Sequence, residues 1–466
     1  MGWLLLTLLT VVTAAQLAQL QLVGAKVLPS GLVVAYGSAL LGGRKLPALL
    51  VASVNGSVLY SALLDVGLGG AFLDVIAADD GYYAVGYVRG VVGRQAILLA
   101  KLGRSGVEWA KALGGGASDY AKAIVKLGDD YLVACVTRSY SLLRGSDLLV
   151  LRVSGEGEVE EAWALGVPAY EDFVEKAYVV GSDVLLVGTT WSYNVSFSDA
   201  MLVWLRNGSA EAVVVGGVDV DEGYIALPSR DRVVLAGSTR SSGMGQSDAY
   251  IAMVGQTLYS VRAIGWPSYD GFTAACPLNN SYILLGYATL DTRQDALLVL
   301  ADDTGFPAAY VISCGGDATP LAVGHCENGV LAALSCSNSL VLVLFSPYLK
   351  PLSAVALANA STAPTSLKVL RVSSLSRRCE TLTSSWTLKR HKLSVRSVTP
   401  LVKPLEARLV PLNLSSVEVE VTTGDLREGK PLPELLMEVL EEYLPLLALI
   451  APVVILVALI LILKRR

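Results

Sequence analysis

Histidine is nearly missing from this chain: His325 and His391 are the only two in 466 residues. That scarcity excludes histidine-rich metal centres and most histidine-dependent catalytic triads. Charge is sparse as well, with 17% charged against 53% hydrophobic residues, which excludes an intrinsically disordered chain. Only one apolar run reaches about 20 residues, so a polytopic transporter is excluded too. The six cysteines contain no Cys-x-x-Cys, and neither a zinc ribbon nor a thioredoxin-type motif is indicated. A Gly-x-Ser-x-Gly elbow, His-Glu-x-x-His, a Walker phosphate loop and the sialidase-type Ser-x-Asp-x-Gly-x-Thr-Trp box are all missing. No metal and no cofactor is expected.

The net charge of −5 conceals three unequal regions. Residues 1–362 hold 21 Lys+Arg against 31 Asp+Glu, residues 363–417 hold 10 against 2, and residues 418–443 hold 2 against 8. The acidic body argues against nucleic acid as a partner, because phosphate binding needs a basic face. The basic segment has two readings, an anionic-surface contact or the solvated face of a small β-domain.

Both ends of the chain point to a membrane. Residues 3–12 form an apolar core followed by Thr13, Ala14 and Ala15, so residues 1–15 read as a signal peptide, with an uncleaved anchor as the alternative. From Leu444 to Leu463 there is no charge, and Lys464, Arg465 and Arg466 follow. Such a helix reaches roughly 30 Å, and its basic flank predicts a cytoplasmic tail of residues 464–466. The expectation is a single-pass cell-membrane protein with its bulk outside. Six Asn-x-Ser acceptor sites between the two ends agree with that, at Asn55, Asn194, Asn207, Asn279, Asn359 and Asn413. So do Cys135, Cys276, Cys314, Cys326, Cys336 and Cys379, which an oxidising compartment would allow to pair in any of fifteen ways.

The strongest signal is a repeat. An apolar residue plus Gly recurs at Tyr36-Gly37, Val85-Gly86, Val187-Gly188, Ala236-Gly237 and Leu285-Gly286, with Cys135 and Leu334 in the same slot of two divergent copies. The intervals are 49, 49, 53, 49, 49 and 48 residues. Each unit reads as four short strands; in the second they are Leu73–Ala78, Tyr82–Val88, Gln95–Leu102 and Gly106–Leu113. Turn residues such as Asp79-Asp80-Gly81 and Gly181-Ser182-Asp183 join the first two strands. Third strands such as Ala96–Ala100, Met201–Leu205 and Leu297–Leu300 are almost wholly apolar, as suits a strand buried on both faces. Four strands repeated seven times predict an all-β, seven-bladed β-propeller over residues 16–362, with a solenoid as the alternative.

Two acidic positions repeat with it. Asp119, Asp172, Asp221 and Asp270 stand sixteen residues before the anchor and Asp317 seventeen before, while Asp147, Asp199, Asp248 and Asp295 follow it by nine to twelve. Structural hydrogen bonding that ties loops and neighbouring blades is the expectation; a central cation is the alternative. The pattern resembles secreted and surface propeller proteins of bacteria and archaea. The residues that carry the likeness are Gly114–Gly116 with Asp119, Asp80-Gly81-Tyr82 with Gly86, Gly188-Thr189, Gly237-Ser238-Thr239, Ser247-Asp248, and Gly106 with Trp109. The resemblance implies a fold and an archaeal or bacterial surface location, and it implies little about activity.

After Thr362 the period stops. Residues 363–430 read as a membrane-proximal β-rich stalk and residues 431–443 as a juxtamembrane helix leading into the transmembrane helix, residues 444–463. Ligand-binding candidates come from the loops that join strand two to three and one blade to the next: Tyr120, Tyr140, Tyr170, Trp191, Tyr193, Trp266 and Tyr269. Aromatic planes among Gly, Ser and Asp suit sugar rings or protein hot spots, and interblade packing is the competing role. Two functions follow. One is a surface binding or scaffold module for cell-envelope proteins or glycans. The other is a tethered carbohydrate-active hydrolase or lyase, or a quinoprotein, with Asp172 and Asp270 as a conceivable acid pair.

Overall fold

The computed structural model describes residues 19–426, apart from 67–68, 105, 142–144, 167–169, 193–196, 207–208, 230–231, 242, 244, 291, 359–365, 373–378, 382–386, 393, 398–400, 405–407, 412–414 and 419. The segments expected to be a signal peptide, a juxtamembrane helix, a membrane span and a tail lie outside the described residues, as do Tyr193, Asn194, Asn207, Asn359 and Asn413. Among the described residues no helix is long and apolar enough to cross a membrane.

Residues 19–358 form seven antiparallel sheets of four consecutive strands each, a seven-bladed propeller. The second blade runs Gly70–Ala78, Gly81–Arg89, Gln95–Gly103 and Gly106–Gly114. Its predecessor starts at Gln19–Val27, and the seventh blade ends at Pro351–Ala358. Third strands are buried on both faces, as their unbroken apolar sequences predict; Ala296 to Val299 are each 0% exposed. Replacing one such leucine by alanine costs about 2–5 kcal/mol, because the lost apolar contact leaves a cavity as well.

The repeated glycine has a geometric cause. Every innermost strand carries a bulge at the same point, for example at Leu73 between Phe72 and Asp74, and at Glu175 between Val174 and Lys176. The anchor residue on the second strand sits opposite the residue just before the bulge: Gly86 faces Phe72 and Gly188 faces Val174. A Cβ at Gly188 would overlap the carbonyl oxygen of Phe173, so the twisted inner strand leaves room only for a hydrogen. Seven bulges around one axis bend all the blades alike.

Among the described residues no strand is shared between the first and last blades. They meet instead through one apolar cluster, with Leu20, Leu22, Leu46 and Leu50 from the first blade against Leu321, Leu331, Leu340 and Leu342 from the seventh.

The segment expected to form a stalk supplies strands, but they pair with the propeller. Ser366–Val372 pairs with the outermost strand of the sixth blade, Ala308–Ser313. Cys379–Thr381 then pairs with the fifth blade, Thr387–Lys392 with the fourth and Ser394–Ser397 with the third. Leu401–Pro404 pairs with the second, Arg408–Pro411 with the first and Ser415–Glu418 with the seventh. Glu420–Leu426 returns to the sixth, beside Ser366–Val372. These residues form a belt that makes one circuit against the order of the blades. Two physical reasons favour this over a free stalk. Unpaired outer strands are aggregation-prone edges, and the first seven belt strands each cover one. The belt region is also basic where the body is acidic, and Arg390 binds Glu211 of the fourth blade at 3.0 Å.

Candidate binding face

In each blade the loops between strands two and three, and those leading to the next blade, lie at one end of the antiparallel strands. The repeated aspartates sit at the root of this loop face. Asp119, Asp172, Asp221 and Asp270 are each the first residue of an innermost strand and are 0–2% exposed. Asp119 accepts from the backbone N–H of Gly115 at 2.9 Å, from Thr137 Oγ1 at 2.6 Å and from Ser139 Oγ at 2.6 Å. Asp221 repeats the arrangement with Gly217 N at 2.6 Å, Ser241 Oγ at 2.6 Å and Thr239. Asp172 accepts from Thr190 and Ser192 at 2.6 and 2.8 Å. Asp270 accepts from the backbone N–H of Trp266 at 2.6 Å and of Thr289 at 3.2 Å.

The carboxylates of Asp119, Asp221 and Asp270 are thus clasps joining the incoming loop to the second strand, and that of Asp172 holds the end of the second strand. The backbone reaches further: the N–H groups of Asp172, Asp221 and Asp270 donate to the carbonyls of Ser146, Ser198 and Ser247 in the preceding blades, at 2.7, 2.8 and 2.9 Å. Burial drives the carboxyls of Asp172 and Asp221 up to about 6, and the hydroxyl and amide donors pull the other way. Nearby Asp147 and Asp199 add smaller increments.

The second acidic set packs differently. Asp147, Asp199 and Asp248 open the third strands, are buried, and lie over Gly166, Gly216 and Gly265, where a Cβ would overlap the carboxylate. Asp295 is held by Arg293 through two contacts of 3.1 Å. Asp317 departs from the first set. It is exposed and accepts from Gln294 N at 3.2 Å, while Ala318 occupies the clasp position. Asp172 and Asp270 belong to the fourth and sixth blades, are both buried, and are separated by a whole blade, so they do not form an acid pair. No group of three or more metal-ligating side chains occurs among the described residues.

The candidate aromatics divide in three. Tyr170, Trp191 and Tyr269 stand 51%, 49% and 44% exposed on the loop face. Tyr120 and Tyr140 are half-buried against interblade clusters, and burial raises the Tyr120 hydroxyl to about 12. Trp266 is buried, which corrects its reading as a ligand contact; its backbone N–H serves the Asp270 clasp. Two exposed side chains escaped the sequence reading, Phe197 and Val218. All five exposed groups come from loops of the third to sixth blades. The clasps and their backbone bonds hold those loops: Trp191 N donates to Glu171 O at 2.9 Å, and Asp221 N ties the loop that carries Phe197. Arg240 lies over the Tyr269 ring at 6.0 Å. The loop face thus carries five exposed apolar side chains on hydrogen-bonded loops, which can desolvate against a partner without a large ordering cost.

One pairing among the fifteen open to the six cysteines is made, Cys314 with Cys336. Cys135 and Cys276 are buried thiols and Cys326 a partly buried one. Asn55 and Asn279 are exposed, both in turns on the face opposite the clasps. No protein-family model matches the chain, and no curated protein matches it significantly in sequence.

Proposed function

We propose that the chain is a membrane-anchored surface protein whose propeller serves as a binding or scaffold module, docking a cell-envelope protein through the loop face. The observation that carries this reading is the exposure of Tyr170, Trp191, Phe197, Val218 and Tyr269 on loops of one face. Aromatic and aliphatic anchors on a preorganised surface are the usual energetic centre of a protein interface. Glycans are the other ligand class that ring platforms of this kind accept. Anchoring through Leu444 to Leu463, a cleaved leader and an extracellular body in an archaeal or bacterial envelope belong to the same proposal and rest on the sequence.

Cross-linking in native membranes, followed by purification and mass spectrometry, tests it. One recurrent envelope partner is expected, and Trp191→Ala with Phe197→Ala should lower its recovery about tenfold while the thermal transition stays in place. Recovery of the chain alone, or recovery indifferent to those substitutions, would overturn the docking role.

A further inference from the structure

On the face opposite the clasps, the fourth and fifth blades part to leave a groove of about 720 Å³. The corresponding gap between the second and third blades is closed: Tyr83 stacks on Tyr131 at 4.1 Å, Trp109 meets Tyr83 edge-on at 5.9 Å, and about 10 Å³ remains. The open groove is instead lined by ion pairs. Arg206 binds Asp183 at 2.8 Å and lies over the Trp204 ring at 4.6 Å. Arg232 also lines the groove and pairs away from it, with Asp303 of the sixth blade at 3.1 Å. The belt's Arg390 binds Glu211 at 3.0 Å and donates to the carbonyl of Gly255 at 2.7 Å, spanning the two blades. Tyr259 offers an open ring, 56% exposed.

Two guanidinium–carboxylate pairs within the groove cancel in charge, and their four side chains stay 27–48% exposed. Each pair sets a donor beside an acceptor. That is the complement of a vicinal diol, whose hydroxyls both give and take hydrogen bonds, and an exposed tyrosine ring suits the apolar face of a pyranose. A polyanion would have to displace both carboxylates, Asp183 and Glu211, from their arginines. We infer that this groove is a binding site for a neutral oligosaccharide, completed by the belt and independent of the loop-face docking reading. Its volume lies within the range of small-ligand sites.

The test uses the purified full-length chain and calorimetric titration with maltohexaose, cellohexaose and mannohexaose, with hexagalacturonate as the acidic counterpart. At least one neutral hexaose should bind, and its affinity should change less than about twofold between roughly 50 and 500 mM salt. Tyr259→Ala should weaken it about tenfold, and Arg390→Ala should weaken it too; both residues are exposed, and thermal melts identical to the parent would show that folding is intact. Trp191→Ala on the other face should leave it unchanged, which separates this site from the loop-face reading. Failure of all three neutral probes, binding of hexagalacturonate alone with loss in salt, or indifference to Tyr259→Ala would overturn the inference.

Discussion

The third to sixth blades and the seventh solve one problem with different chemistry. In the third, fifth and sixth blades a buried aspartate opens the inner strand and gathers the loop four residues upstream to the second strand, and in the fourth Asp172 holds Thr190 and Ser192. In the seventh blade the aspartate position is Ala318, and its register partner is Cys336, where Asp119, Asp172 and Asp221 face Thr137, Thr190 and Thr239. Four residues before Ala318 stands Cys314, in the place of Gly115, Gly217 and Trp266. The disulfide Cys314–Cys336 therefore spans the same gap that a carboxylate spans elsewhere. What the comparison teaches is that the loop face needs a fixed root in these blades, and that hydrogen bonds or a covalent bond can supply it.

Breaking a carboxylate clasp should have the largest effect. Asp221→Ala strands the Gly217 N–H and the hydroxyls of Thr239 and Ser241 in a buried site. A loss of about 3–5 kcal/mol is expected in denaturant titration, with each unsatisfied group contributing about 1–3. Opening the seventh blade should cost slightly less. Cys314→Ser with Cys336→Ser removes a loop constraint of 22 residues in sequence separation, about 3 kcal/mol by chain entropy. Ala318→Asp with Cys336→Thr and Cys314→Gly should recover part of that loss by rebuilding the carboxylate clasp.

Acid should stabilise the Asp172 and Asp221 clasps and leave the covalent one untouched. The Asp172 carboxyl titrates near 6 when folded and near 3.9 when unfolded. Between those values the native state holds more protons, so stability falls as pH rises; the contribution is full below about 4 and gone above about 6. Both Thr190 and Ser192 donate to the same oxygen of Asp172, and Asp172→Asn can keep both bonds. That variant should flatten the slope of stability between about pH 4 and 6.5 by on the order of 1 kcal/mol. The smallest effect belongs to the belt: Arg390→Ala removes an exposed ion pair and should cost under about 1 kcal/mol in the same titration.

The blades were legible because their constraints are local and repeated. Asp79-Asp80-Gly81 makes a turn wherever it occurs, and the glycine anchors record a bulge present in every inner strand. The belt was not, because its strands are short, unrepeated and paired with partners 55 to 349 residues away in register, from Ser313 with Lys368 to Ala62 with Pro411. Its one trace in the sequence was the basic excess of residues 363–417 beside an acidic body. Counting from the glycine anchor placed four clasps correctly and missed by one residue at Asp317, since the seventh blade had replaced aspartate with a disulfide. Trp266 was misread for a similar reason: its backbone serves a clasp, and that draws the residue inward. Phe197 and Val218 carry no pattern that distinguishes an exposed apolar residue in a loop from a packed one.

Backbone hydrogen exchange on the full chain tests the equivalence of the two clasps most directly. Asp221→Ala should strip protection from the amides of Gly217, Asp219 and Ser241, and reduction of Cys314–Cys336 should do the same to the loop amides around Cys314 and Asn338, with the blade strands unchanged in both. Unaltered protection in the seventh blade after reduction, or loss spread evenly around the ring, would contradict the account.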